Sequence, residues 1–286
     1  MGESNGRKSI FITGAGSGMG LETAKFFYGK GWFVGGYDLN LDGLKALETE
    51  LGAENCVVRK LDVTDRDDYR AALAEFAACT GGKMDILYNN AGIGGGGLFA
   101  EVPFEKILSV VNTNLVGVLI GIYEGLKYLR ETQGSMCFTT SSSSATFGMP
   151  GLGIYSATKH AVKGLTEALS VEFRDYGVKV ADVLPGTIDT PLIRRDPSAP
   201  PLPDGVLRLV KMMAAARAFK PRPPIEIAEV VWEAYHSDKL HWYVPPEMYE
   251  LDKLATLDPE GTRDRLIDGS FGEHLNTYDA TVGSDQ

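Results

Sequence analysis

Apolar runs of strand length alternate with segments of helical period along most of this chain. Ser9-Ile10-Phe11-Ile12 reads as a short buried strand, after which Leu21, Ala24 and Phe27, with Phe26 beside them, repeat at helical spacing. Trp32 to Tyr37 is a second apolar run, closed by Asp38. The pattern predicts a helix over 41–51, a third strand over 56–61 running into Asp62-Val63, and a helix over 65–79 with Asp65 at its cap. It continues with a strand over 84–88, one long helix or two joined ones over 103–130, and a strand over 135–141. A helix over 153–176 and strands over 178–184 and 241–244 complete the series. Such alternation predicts an α/β fold: a parallel doubly wound sheet with helices on both faces and ligands at the carboxyl ends of its strands. No linker or solenoid repeat divides the chain, so 1–286 is read as one domain.

Two groups of residues at those strand ends carry chemistry. The first strand runs into Thr13-Gly14-Ala15-Gly16-Ser17-Gly18-Met19-Gly20. Between a strand and a helix, such glycines permit a tight turn and let the backbone approach a pyrophosphate, which rests on the helix N-terminus. Asp38 lies 18 residues past Gly20, close to the spacing of a carboxylate that binds a ribose hydroxyl. The second group is Ser142, Tyr155 and Lys159. On a helix, the lysine four residues on shares the tyrosine's face. A free phenol titrates near ~10, and a neighbouring ammonium is expected to lower that value. A hydroxyl from the preceding strand, Ser142, could hold a substrate oxygen against the phenol.

Both groups together resemble the short-chain dehydrogenase/reductase family. Its TGxxxGxG matches Thr13 to Gly20, its NNAG matches Asn89-Asn90-Ala91-Gly92, and its YxxxK matches Tyr155 to Lys159. A helix pattern like NLxG matches Asn114-Leu115-Val116-Gly117, and a late PG motif matches Pro185-Gly186-Thr187-Ile188-Asp189-Thr190. The resemblance implies a Rossmann-like fold and interconversion of a secondary alcohol and a ketone. Tyr155 would be the general acid or base, and Ser142 would orient the substrate oxygen. Lys159 would hold the nicotinamide ribose, and Asn114 would position a water that relays protons, with Asn112 a weaker candidate. Gly14, Ser17, Gly18, Met19 and Gly20 would cradle the phosphates, and Asp38 and Leu39 the adenosine ribose. Asp62 and Val63 would flank the adenine, Asp62 competing with a role as helix cap. Asn90, Ala91 and Gly92 would line the ribose side, and Pro185, Gly186, Ile188 and Thr190 the nicotinamide end. The Asp38 carboxylate accepts from 2′- and 3′-hydroxyls and repels a 2′-phosphate, so NAD is favoured over NADP. The family also implies a homodimer or homotetramer formed through the helices over 103–130 and 153–176.

Composition narrows the alternatives. A net charge of −10 argues against a nucleic-acid partner. No apolar stretch is expected to reach membrane-span length, and the first residues show no signal region. Cys56, Cys79 and Cys137 give neither a disulfide framework nor a metal site, so a reducing cytoplasm is expected. Residues 191–224 are rich in proline, with a short helix expected over 204–219; the resemblance makes this segment a lid over the substrate site. Residues 245–286 form an acidic extension whose end is expected to fray. Phe147, Met149, Leu152, Leu192, Ile193, Met212, Met213 and Phe219 are candidate walls for a bulky apolar or aromatic substrate, and the glycine run 94–97 either leaves room at the mouth or forms a flexible loop. Arg194, Arg195, Arg208, Lys211, Arg217, Lys220 and Arg222 make the lid basic. That keeps a 3-oxoacyl-thioester reductase open as an alternative, alongside a non-catalytic nucleotide sensor.

Overall fold

Seven parallel strands form one sheet in the order β3-β2-β1-β4-β5-β6-β7. The computed structural model describes residues 4–193, 220–268 and 270. The strands are β1 Ser9–Thr13, β2 Phe33–Asp38, β3 Cys56–Lys60, β4 Ile86–Asn89, β5 Met136–Thr140, β6 Lys179–Pro185 and β7 His241–Val244. The order reverses direction between β1 and β4, and the crevice above that switch is where an open α/β sheet binds its ligand.

Helices cover both faces. On one lie α1 (Gly18–Gly29), α2 (Leu41–Leu51) and α7 (Ile225–Tyr235), packed with Ile10, Ile12, Val34, Tyr88, Phe138 and Val183 of the strands. On the other lie α3 (Arg66–Thr80), the joined pair α4 (Phe104–Val111) and α5 (Gly117–Arg130), and α6 (Gly153–Glu172), against Phe11, Tyr37, Leu87 and Cys137. Alternate residues of each strand feed opposite faces, which is why these strands read as continuous apolar runs.

Local chemistry sets the helix ends. Asp65 caps α3 by accepting from Asp67 N at 2.9 Å and Asp68 N at 3.0 Å, and the helix stops at Gly81 in the left-handed region. Asp62 is therefore not that cap; it closes a turn onto Thr64 instead. The strand predicted over 84–88 begins later, because Met84 N donates to the Thr132 hydroxyl and the Asp85 carboxylate accepts from Ser9 N. The helix predicted to reach 176 ends at Glu172, followed by a tight turn over Arg174–Tyr176.

One expectation needs correction. The run Phe104–Arg130 is long and apolar enough to cross a membrane by length and composition. Here a π-turn, Asn112–Val116, interrupts it, and Val118, Ile122 and Leu129 pack on the sheet. The segment after β7 carries α8 (Met248–Leu257) and α9 (Pro259–Asp268), with Met248 and Leu251 buried. The lid helix expected over 204–219 and the polar end of the chain lie outside the described residues. The chain entering and leaving residues 194–219 does meet, since Ile188 pairs with Arg222 and Arg222 N donates to Thr187 O at 2.8 Å.

Candidate active site

The loop leaving β1 is folded so tightly that side chains are excluded. A Cβ on Gly20 would lie 2.2 Å from the Gly14 carbonyl oxygen, and Gly14 itself has φ +71° with Asn90 Nδ2 2.9 Å from where its Cβ would be. Ser17 starts α1 without a side-chain cap, and the first turn carries no acidic residue. The leading N–H groups of α1 thus face an anion site. This cradle fits a dinucleotide pyrophosphate.

The cradle opens into a cleft of about 240 Å³. Gly14, Ser17, Gly18 and Met19 line its phosphate end. Asp38, Leu39, Asp62 and Val63 line the end above β2 and β3. Asn90, Ala91 and Gly92 form the side above β4, and Thr190 closes it from beyond β6. Gly20 sits behind the loop, and Pro185, Gly186 and Ile188 do not line this cleft; Ile188 is buried in the core instead. Sequence reasoning missed Tyr37, Leu61, Ile93, Thr113 and Pro191. Leu61 and Tyr37 neighbour assigned residues at strand ends, which was a usable signal. Thr113 reaches the cleft from the π-turn, which the sequence pattern did not announce.

Asp38 is fixed by its own loop. One carboxylate oxygen accepts from Gly16 N and the other from Asn40 N, both at 2.8 Å. Each oxygen keeps a lone pair for a further donor. Among the described residues, no lysine or arginine lines the cleft.

Asn90 and Thr140 join this cleft to the catalytic ledge. The Thr13 hydroxyl accepts from Asn90 N and Ala91 N at 3.0 Å, and Asn90 Nδ2 donates to Thr13 O at 3.0 Å. Asn90 Oδ1 lies 3.1 Å from the Thr140 hydroxyl, which also meets Tyr88. One residue supports both regions, because Lys159 Nζ donates to the carbonyl of the same Thr140 at 2.7 Å.

On the ledge, Tyr155 stands in the first turn of α6 with Lys159 one turn on, its Nζ 5.6 Å from the phenol ring centre. Ser142 ends the β5 loop, accepts from Ser144 N at 3.1 Å and stands near the Tyr155 hydroxyl. Its neighbour Ser141 turns away and donates to the Lys159 carbonyl at 3.0 Å. Burial pushes the Tyr155 phenol above its usual value, and the nearby Ser142 hydroxyl opposes that shift. The expectation that Lys159 pulls the phenol down is therefore not met. Burial dominates both groups, and it lowers the lysine to about 8, with Asp182 acting the other way.

Asn114 is fully buried in the π-turn, and its amide is spent on the loop after β4. Oδ1 accepts from Ile93 N at 2.8 Å and Nδ2 donates to Ile93 O at 2.9 Å. Asn112 is exposed. The glycine run after Gly92 lies against the loop preceding α6, with Gly97 N donating to Gly151 O at 2.8 Å. Met149 is buried there, and Leu192 lines the cleft from the lid side. Met212, Met213 and Phe219 lie outside the described residues, as do Arg194, Arg195, Arg208, Lys211 and Arg217. Of the described lid cations, Arg222 is paired with Glu226 at 2.8 Å.

The family described as short chain dehydrogenase matches residues 8–200. A cyclohexanol dehydrogenase of Acinetobacter sp. (strain SE19) is 32% identical over 227 residues, 78% of this chain and 86% of that protein. A levodione reductase of Leifsonia aquatica is 34% identical over 193 residues, 64% of this chain and 70% of that one. Among solved structures, a short chain dehydrogenase/reductase from Burkholderia phymatum in complex with NAD aligns with a TM-score of 0.78 at 26% identity. It covers 92% of this chain and 97% of that one.

Proposed function

Because the chain belongs to the short-chain dehydrogenase family and is an oxidoreductase of alcohols and ketones, we propose that it interconverts an apolar, ring-sized secondary alcohol and its ketone with NAD(H). The observation that carries this reading is the Ser142–Tyr155–Lys159 arrangement beside a cradle shaped for a dinucleotide. Tyr155 takes the alcohol proton in oxidation and returns it to the ketone oxygen in reduction. Ser142 holds that oxygen against the phenol. Lys159, whose Nζ donates to Thr140 O, would hold the ribose beside the nicotinamide. Asn114 braces the loop that carries Gly92 and Ile93, so its contribution is to keep that wall in place. When bound, the nicotinamide supplies the hydride acceptor or donor.

Asp38 supports NAD over NADP: its carboxylate can take ribose hydroxyls, and among the described residues the cleft offers no cation for a 2′-phosphate. The ring-sized apolar substrate is supported by Leu192 lining the cleft, by Leu192 and Leu152 packing beside Gly94 and Gly96, and by the cyclohexanol relative. The chain is read as one domain with 191–224 as its lid, acting in the cytoplasm. Exposed Phe104, Leu108, Leu119 and Tyr123 on the α4–α5 run favour pairing with a second copy, giving a homodimer or homotetramer. Light scattering tests that state.

A panel of cyclic and linear alcohols and ketones, followed by NADH absorbance with both cofactors, tests the activity. Preference for small polar hydroxy acids overturns the substrate class. A nucleotide sensor without catalysis would retain its biological effect in Tyr155→Phe, whereas the proposed enzyme would not.

A further inference from the structure

The polar residues behind Lys159 are not used by the reaction as described. Ala181 and Val183 of β6 point into the core on the α1 side, so Asp182 between them points towards α6. It is fully buried, opposite Thr139 of β5 and His241 of β7. Its Oδ1 lies 2.7 Å from His241 Nδ1, and His241 Nε2 lies 3.3 Å from a Glu167 oxygen. An imidazole with a carboxylate at each nitrogen donates to both only as the imidazolium. The other oxygen of Asp182 is buried with no hydrogen-bond partner among the described residues.

The helix above presents a matching stripe. Lys159, Lys163 and Glu167 are spaced four apart on α6 and so share one face. Glu167 meets His241. Lys163 meets Asp252 of α8 at 2.5 Å, where the Tyr243 hydroxyl also donates. Three cations, Lys159, Lys163 and His241, thus face three anions, Asp182, Asp252 and Glu167. Lys159 makes no direct ion pair with Asp182, but of these three anions only Asp182 keeps a buried oxygen without a partner among the described residues, on the side of β6 that α6 covers. Lys159 itself is 3% exposed and otherwise held by a neutral carbonyl. A buried ammonium without a counter-charge loses its proton readily.

We propose that Asp182, clamped by His241, is a positioning residue for Lys159: its buried carboxylate keeps the lysine an ammonium beneath the cleft. The proposal rests on the reading that Lys159 serves the reaction as a cation. It makes the strands β6 and β7 part of the proton chemistry rather than only of the sheet.

The test is Asp182→Asn in the full chain. Asparagine keeps the shape and a carbonyl for His241 but removes the charge. The readout is the ε-carbon NMR signal of lysine-labelled protein titrated without cofactor, with Lys159→Met identifying the resonance. Asp182→Asn is expected to lower the Lys159 midpoint by roughly one pH unit, and to move the alkaline limb of kcat/KM the same way. Should that variant not fold, Asp182→Thr is read identically. An unchanged Lys159 midpoint in a folded variant overturns the proposal. A wild-type protein inert towards every alcohol and ketone would sink the proposed function instead, leaving the titration readable.

Discussion

The two sides of this active site are held by different physics. On the nucleotide side, the loop from Gly14 to Gly20 owes its shape to missing side chains, and backbone groups press within van der Waals distance of one another. On the catalytic side, Ser142, Tyr155 and Lys159 are ordinary side chains whose chemistry is set by burial and by neighbouring charge. The first region should therefore tolerate changes of polarity but not of volume. The second should tolerate small changes of volume but not the loss of a proton or a charge. Asn90 and Thr140 stand where the two meet.

The largest effect expected is at Tyr155. Removing its hydroxyl in Tyr155→Phe keeps the ring and should lower kcat by roughly 10²- to 10⁴-fold. NADH affinity, followed by fluorescence, should barely change. Equal losses in turnover and binding would erase the division between the two regions.

Gly20→Ala probes the opposite side. Its Cβ would meet the Gly14 carbonyl at 2.2 Å, so the loop must shift. Such overpacking costs about 1–3 kcal/mol, to be seen as a lower Tm and weaker NADH binding. A variant with the wild-type Tm and affinity would show that the cradle is looser than described.

Asp38→Asn keeps the volume but removes the charge proposed to face the ribose. The proposed preference for NAD over NADP should fall by about tenfold, the factor corresponding to ~1.4 kcal/mol of lost discrimination. Steady-state kinetics with both cofactors measures it, and an unaltered ratio would assign the discrimination elsewhere.

Thr140→Val cuts the hydroxyl link between the regions while leaving the carbonyl that holds Lys159. About 1 kcal/mol of stability should go. Its combination with Asn90→Ala should be non-additive, because both variants remove the same contact. Strict additivity in thermal or urea unfolding would mean the regions are independent.

The mildest change is with pH. Lys159 is charged below about 8 and neutral above. If its ammonium holds the ribose, NADH affinity weakens gradually as pH rises through that value. In stability the sign is opposite. A lysine lowered from 10.5 in the folded state makes folding more favourable as pH rises from about 8 to 10.5, since the unfolded chain binds the extra proton. Isothermal titration and unfolding across that window separate the two trends.

The sequence alone determined the sheet, the glycine cradle and the Tyr155–Lys159 pair, because each depends on short spacing: apolar runs, a strand–loop–helix junction, one helical turn. Asp38 was legible for the same reason, through its distance from the loop. Only the tertiary structure decided what depends on remote neighbours. Asn114 was legible through the NLxG-like pattern, but not that Ile93 would occupy both ends of its amide. The direction of the Tyr155 shift depends on how much water the fold removes, and no spacing encodes that. The long apolar run over Phe104–Arg130 has the composition of a membrane span, and becomes a core helix because a sheet is there to receive it. Asp182 and His241 lie 59 residues apart on adjacent strands, so their contact exists only once β6 and β7 have paired.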